Sequence, residues 1–119
     1  MAKNWIPDRG DIIWINHDPQ RGREMRDRHP MLVLSPINFN QGTGIVIGLP
    51  MTTAEYNITN PFAVAFKNNN GTVSYVLTHQ PKSFDWRERG ASQHACKKAP
   101  PEVLVKACHM LNKIIELAA

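Results

Sequence analysis

Met31-Leu32-Val33-Leu34-Ser35 sits between Pro30 and Pro36, and its reading decides the fold. Five residues bracketed by prolines are too few for a stable helix, whereas a short continuous apolar run suits a strand covered on both faces. Outward from it, Gly44-Ile45-Val46-Ile47-Gly48-Leu49 repeats the pattern between the Gly42-Thr43-Gly44 turn and Pro50. Upstream, Gly10-Asp11-Ile12-Ile13-Trp14-Ile15-Asn16 is rich in β-branched and aromatic residues and closes before Asp18-Pro19, so it reads as another strand. Downstream, Phe62–Phe66 and Val73–His79 flank Lys67-Asn68-Asn69-Asn70-Gly71-Thr72. The Asn-Gly pair is a hairpin signal and predicts two antiparallel strands.

The period changes near the C-terminus. Leu104, Ala107, Cys108, Leu111, Ile114, Ile115 and Ala118 recur at three- and four-residue steps, which predicts an amphipathic helix. Pro100-Pro101 suits its entrance and Glu102 the positive end of its dipole. Phe84–Arg89, before Gly90, reads as one more short helical turn. About five strands followed by one helix predict a mainly β fold, a small antiparallel barrel or curved sheet with a C-terminal helix packed on one side, within a single domain over residues 1–119.

Composition narrows the function. The 119 residues are 42% hydrophobic and carry a net charge of +4, enough apolar material for a core and no case for a disordered chain. No apolar run approaches a membrane span, and the N-terminus lacks a signal-peptide stretch, which together predict a cytoplasmic protein. Cys96 and Cys108 stand apart without paired ligands and read as free thiols. His17, His29, His79, His94 and His109 form no metal-ligand spacing, so no metal and no cofactor is expected. His94 and His109 read as structural or exposed.

Three polar clusters can carry chemistry. The first, Gln20–Pro30, holds Arg21, Arg23, Arg26 and Arg28 with Glu24, Asp27 and His29. It reads either as a solvated loop or as a phosphate site, since arginine suits bidentate phosphate recognition. His29 precedes Pro30 and is therefore held extended, a fixed place for an acid or base. The second is Pro50-Met51-Thr52-Thr53, whose hydroxyls either end a strand or donate to a phosphate oxygen. The third, His79–Arg89, mixes rings able to stack on bases, cations, and the Gln80 amide.

The order of these pieces, from Pro7-Asp8-Arg9-Gly10-Asp11 through Gly22-Arg23-Glu24, His29–Pro36, Asn40 and Pro50–Thr53 to Gln80-Pro81-Lys82-Ser83-Phe84-Asp85-Trp86-Arg87, resembles the MazF/PemK family of toxin endoribonucleases. That resemblance implies a homodimeric SH3-like barrel that cuts single-stranded RNA without a metal, by attack of a ribose 2′-hydroxyl on its own phosphodiester. A 2′,3′-cyclic phosphate and a 5′-hydroxyl result. It also implies a cognate antitoxin with an acidic segment as partner. The family's catalytic pair is an arginine just before the proline of the second strand and the first threonine of the Thr-Thr pair. Thr52 matches, but the residue before Pro30 is His29, with Arg28 one earlier.

Neighbouring side chains on an extended backbone point to opposite faces. Either His29 takes the arginine's role or the loop slips to present Arg28. A division of labour suits their chemistry, with His29 moving the proton and Arg28 neutralising phosphate charge. RNA-binding roles follow the resemblance for His17, Glu24, Thr53, Gln80, Lys82 and Arg87. Two other readings stay open: a catalytically weakened RNA- or antitoxin-binding relative, and a gyrase poison of the same fold. The latter branch depends on a terminal Trp-Gly-Ile, whereas this sequence closes on Leu117-Ala118-Ala119.

Overall fold

The computed structural model describes residues 5–17 and 28–116. Strands β1 (Asp11–Asn16) and β2 (Arg28–Val33) are followed by helix α1 (Ile37–Thr43), β3 (Ile45–Thr52) and a 3₁₀ turn (Glu55–Thr59). The hairpin β4 (Ala63–Lys67) and β5 (Val73–Leu77), strands β6 (Lys82–Asp85) and β7 (Ser92–Lys98), and helix α2 (Pro101–Ile115) complete it. Neighbouring strands run in the order β4-β5-β3-β2-β1-β7, with β6 also on β3. All pairings are antiparallel.

Strand β3 makes this a curled sheet. Its Ile45–Gly48 half pairs with β6, and its Met51–Thr52 end pairs with β5 instead. Pro50, which has no N–H to give to a ladder, sits where β3 changes partner. Gly48 lies across from Val33, and a Cβ there would stand 2.2 Å from the Leu32 carbonyl oxygen. Only glycine lets β2 and β3 approach this closely.

The apolar runs are covered on both faces, as their lack of alternation predicts. Ile12, Leu32, Leu49, Met51 and Val76 pack under α2 against Val103, Ala107 and Leu111. Ile13, Ile15, Met31, Val33 and Val46 point the other way and gather around Trp86. Because successive strand residues face opposite sides, one run feeds two cores. Buried Asn40 ties the second core to the chain before β1. Its Nδ2 donates to Pro7 O at 2.7 Å and Ser35 O at 2.9 Å, and its carbonyl accepts from Trp86 Nε1 at 2.8 Å.

Several boundaries differ from the sequence reading. Strand β3 runs on through Thr52, because Met51 and Thr52 find a ladder on β5. Phe84 and Asp85 are strand residues paired with Val46 and Ile45; the helical turn expected there is a non-helical turn from Trp86 to Gly90. β7, α1 and the 3₁₀ turn were not anticipated: Ser92–Lys98 has no apolar alternation and joins the sheet only by pairing with β1. In α2 the buried stripe is Val103, Ala107 and Leu111, while Ile114 and Ile115 are exposed. No described helix is long and apolar enough to cross a membrane.

Candidate active site

The β2–β3 register sets the centre of the site. Met31 lies opposite Pro50 at the end of the β2–β3 ladder, and the two strands run on from there to Arg28-His29 and to Thr52-Thr53, which share one hollow. His29 and Thr52 both line each of two adjoining hollows. The larger, about 510 Å³, is also walled by Trp14, Arg28, Thr53, Asn70 and His94. The smaller, about 260 Å³, is walled by His17, Tyr56, Gln80 and Lys82. Among the described residues no carboxylate lines either hollow, so their charge is set by Arg28 and Lys82.

Arg28 and His29 diverge as strand geometry requires. Arg28 Nη1 donates to Gly90 O at 3.0 Å and Nη2 to Ser92 Oγ at 2.9 Å, which fastens the start of β2 to the turn before β7. His29 turns to His17, with ring centroids 5.5 Å apart and nearly perpendicular. His17 in turn meets the Phe84 ring edge-on at 5.0 Å, and the Arg89 guanidinium covers Phe84 at 4.6 Å. Aromatic packing therefore fixes the imidazole of His29 from behind. Thr52 Oγ1 accepts the Ala54 N–H at 3.1 Å, which leaves its own hydrogen to donate outward.

Of the residues expected to form the site, the structure brings together Arg28, His29, Thr52, Thr53, His17, Gln80 and Lys82. Arg87 lies apart from these: its guanidinium is 4.4 Å over the Trp86 ring and beside Gly44, and it lines neither hollow. Trp86 is drawn into the second core, and Arg87 stacks on it instead of turning to the groove. Glu24 lies outside the described residues. Among the described residues no three His, Cys, Asp or Glu side chains are placed to hold a metal ion.

Residues overlooked in the sequence form much of the wall. His94 stacks on Trp14 with centroids 4.8 Å apart, and its Nδ1 accepts the Cys96 N–H at 3.0 Å. Burial pushes its pKa below the ordinary 6.5, because an imidazolium is the costlier form to bury. Asn68, Asn70, Thr72 and Ser74 come from the β4–β5 hairpin. The Asn-rich loop was visible in sequence; nothing there placed it against β2.

A curled antiparallel sheet with a cation-bearing groove over the β2–β3 junction, lined by no carboxylate among the described residues, defines a class of small polyanion-binding β folds. More narrowly, residues 8–115 match the family described as PemK-like, MazF-like toxin of type II toxin-antitoxin system, and the chain belongs to that family. It is 35% identical over 108 residues to the endoribonuclease toxin MazF of Escherichia coli K12, covering 90% of this chain and 94% of that protein. The crystal structure of MazF from Deinococcus radiodurans superposes with a TM-score of 0.81 at 34% identity, covering 96% of this chain and all of that one. A MazE–MazF crystal structure from the same organism gives 0.80 at 30% identity, covering 97% and 100%. None of these relatives is named for action on gyrase.

Proposed function

We propose that this chain is the toxin of a toxin-antitoxin pair, a metal-independent endoribonuclease that cuts single-stranded RNA in the cytoplasm as a homodimer. The observation that carries this reading is the juxtaposition of His29 and Thr52 where two polar hollows meet. With the scissile linkage across that junction, neutral His29 accepts the proton of the ribose 2′-hydroxyl. The 2′-oxygen bonds to phosphorus, the bond from phosphorus to the 5′-oxygen breaks, and that oxygen leaves with a proton from the imidazolium or water. A 2′,3′-cyclic phosphate and a 5′-hydroxyl are left.

Thr52 donates its hydroxyl hydrogen to a non-bridging oxygen, and Lys82 neutralises charge from the smaller hollow. Arg28 acts mainly as a positioning residue, since its two terminal nitrogens already hold Gly90 and Ser92. An antitoxin with an acidic segment suits a groove that carries Arg28 and Lys82 and competes with RNA for the same cations. The deciding experiment incubates purified protein with long single-stranded RNA in EDTA and maps both ends of each cut. Cyclic-phosphate and 5′-hydroxyl ends are expected; intact RNA at every protein concentration overturns the reading. A second reading, a weakened RNA-binding relative, is favoured by histidine standing where the family carries arginine. RNA affinity without turnover identifies it.

A further inference from the structure

We propose that Tyr56 is a stacking platform for one base of single-stranded RNA, at the wall of the smaller hollow. Tyr56 thereby adds to the RNA-cleavage reading, on which this assignment rests, the group that grips a base beside the cut. The side chain is 80% exposed, whereas Tyr75, the other tyrosine of the chain, is buried. Tyr56 lines the smaller hollow together with His29, Thr52, Gln80 and Lys82. Single-strand sites combine a cation that follows the phosphates with a ring on which a base lies, and every base has a face to offer. Lys82 and Tyr56 supply those two groups within one hollow of about 260 Å³.

A relay of hydrogen bonds ties the backbone at Tyr56 to Thr52. Thr52 Oγ1 accepts the Ala54 N–H, and the Ala54 carbonyl accepts both the Asn57 N–H and Asn57 Nδ2, each at 3.1 Å. Asn57 is buried, and its Oδ1 accepts from Asn60 Nδ2 at 3.0 Å. Thr59 Oγ1 donates to the Tyr56 carbonyl at 3.3 Å. The 3₁₀ turn is therefore pinned by Asn57, with exposed Tyr56 and Ile58 on either side of it. A single exposed apolar side chain is ordinary on a protein surface; Tyr56 differs in being fastened through this turn to Thr52 and in sharing its hollow. With the backbone held, stacking has few side-chain torsions left to order, which is why tyrosine makes an economical platform. Ile58 lines a separate hollow beside the Glu55 carboxylate, which repels phosphate and favours a strand path on the Tyr56 side.

The test measures binding of 2′-O-methyl RNA oligomers, which cannot be cut, by fluorescence anisotropy. The oligomers span the mapped cut, and the proteins are the unaltered chain, Tyr56→Ala, Tyr56→Phe and Ile58→Ala. Both positions are exposed, so all variants are expected to fold, as checked by thermal melting. Tyr56→Ala is expected to weaken binding by roughly 5- to 150-fold. Tyr56→Phe, which keeps the ring and drops the hydroxyl, is expected to recover most of that loss, and Ile58→Ala to bind as the unaltered protein does. With one abasic nucleotide moved along the strand, the unaltered protein is expected to lose affinity at a position to which Tyr56→Ala is indifferent. Unchanged affinity in Tyr56→Ala overturns the platform and leaves the exposed ring to a protein partner. An equal loss in Tyr56→Phe assigns the effect to the hydroxyl, and an equal loss in Ile58→Ala assigns it to the turn as a whole; either overturns the platform, as does an abasic series to which both proteins respond alike. If the unaltered protein binds RNA without cutting it, the nuclease reading falls, and the same comparison on random-sequence oligomers still decides the platform. If it binds no RNA, both fall.

Discussion

His29, Thr52 and Arg28 stand within one hollow yet act on different quantities. Loss of a general base costs about 10²–10⁴ in rate, so His29→Ala is expected to lower kcat by that range with RNA affinity little changed. Thr52→Val removes one donor to the phosphate, and a loss of about 10²–10³ in kcat is expected. Arg28→Ala frees the Gly90 carbonyl and Ser92 hydroxyl, and is expected to lower the urea midpoint as well as kcat. Single-turnover kinetics and urea titration of the three variants separate these outcomes. Full cleavage by His29→Ala would reject the imidazole as base.

His94 also fixes a pH dependence. Burial lowers its pKa in the folded chain below the 6.5 ordinary for histidine, so the unfolded chain binds more protons as pH falls through that region. The stabilisation is complete above the unfolded value and is lost on acidification. The urea midpoint is expected to drop between about pH 7.5 and about pH 5.5, and to drop less in His94→Phe. Equal slopes in both proteins would show that another group governs the acid limb.

Among the elements, β3 holds site and fold together: it pairs with β2, β5 and β6 and ends in Thr52. Gly48→Ala would drive a methyl into the Leu32 carbonyl. Since the obstacle is backbone, about 2 kcal/mol or more of stability is expected to be lost, along with activity through displaced His29 and Thr52. Asn40 in α1 anchors the other side of the sheet. Asn40→Ala leaves the Pro7 and Ser35 carbonyls buried without their donor, and a loss of about 3 kcal/mol is expected from equilibrium denaturation. A change under about 0.5 kcal/mol for either would mean the sheet relaxes around it.

Across the whole molecule, binding is read through salt. Single-stranded RNA affinity is expected to fall with ionic strength, and each phosphate contact removed reduces the log–log slope by about 0.7. Lys82→Gln is expected to reduce it by about that amount. Arg87→Ala is expected to leave the slope unchanged, because its guanidinium covers Trp86 outside both hollows. A reversed ranking, measured by fluorescence anisotropy across salt concentrations, would relocate the RNA path.

The apolar runs at Ile12–Ile15, Met31–Val33 and Val46–Leu49 were legible in sequence as strands, because a run without alternation must be covered on both faces; two cores do cover them. The β4–β5 hairpin and α2 were legible too, from an Asn-Gly turn and a helical period, which act over a few residues. So was the resemblance that pointed to Thr52 and the Arg28-His29 step. What only the tertiary structure decided depends on partners distant in the chain. Ser92–Lys98 becomes a strand by lying on β1, Arg28 and His29 part because one reaches Gly90 and the other packs on His17, and His94 enters the groove by stacking on Trp14. Local periodicity encodes which residues must be buried; which distant side chain each one meets is set only when the curled sheet closes them together.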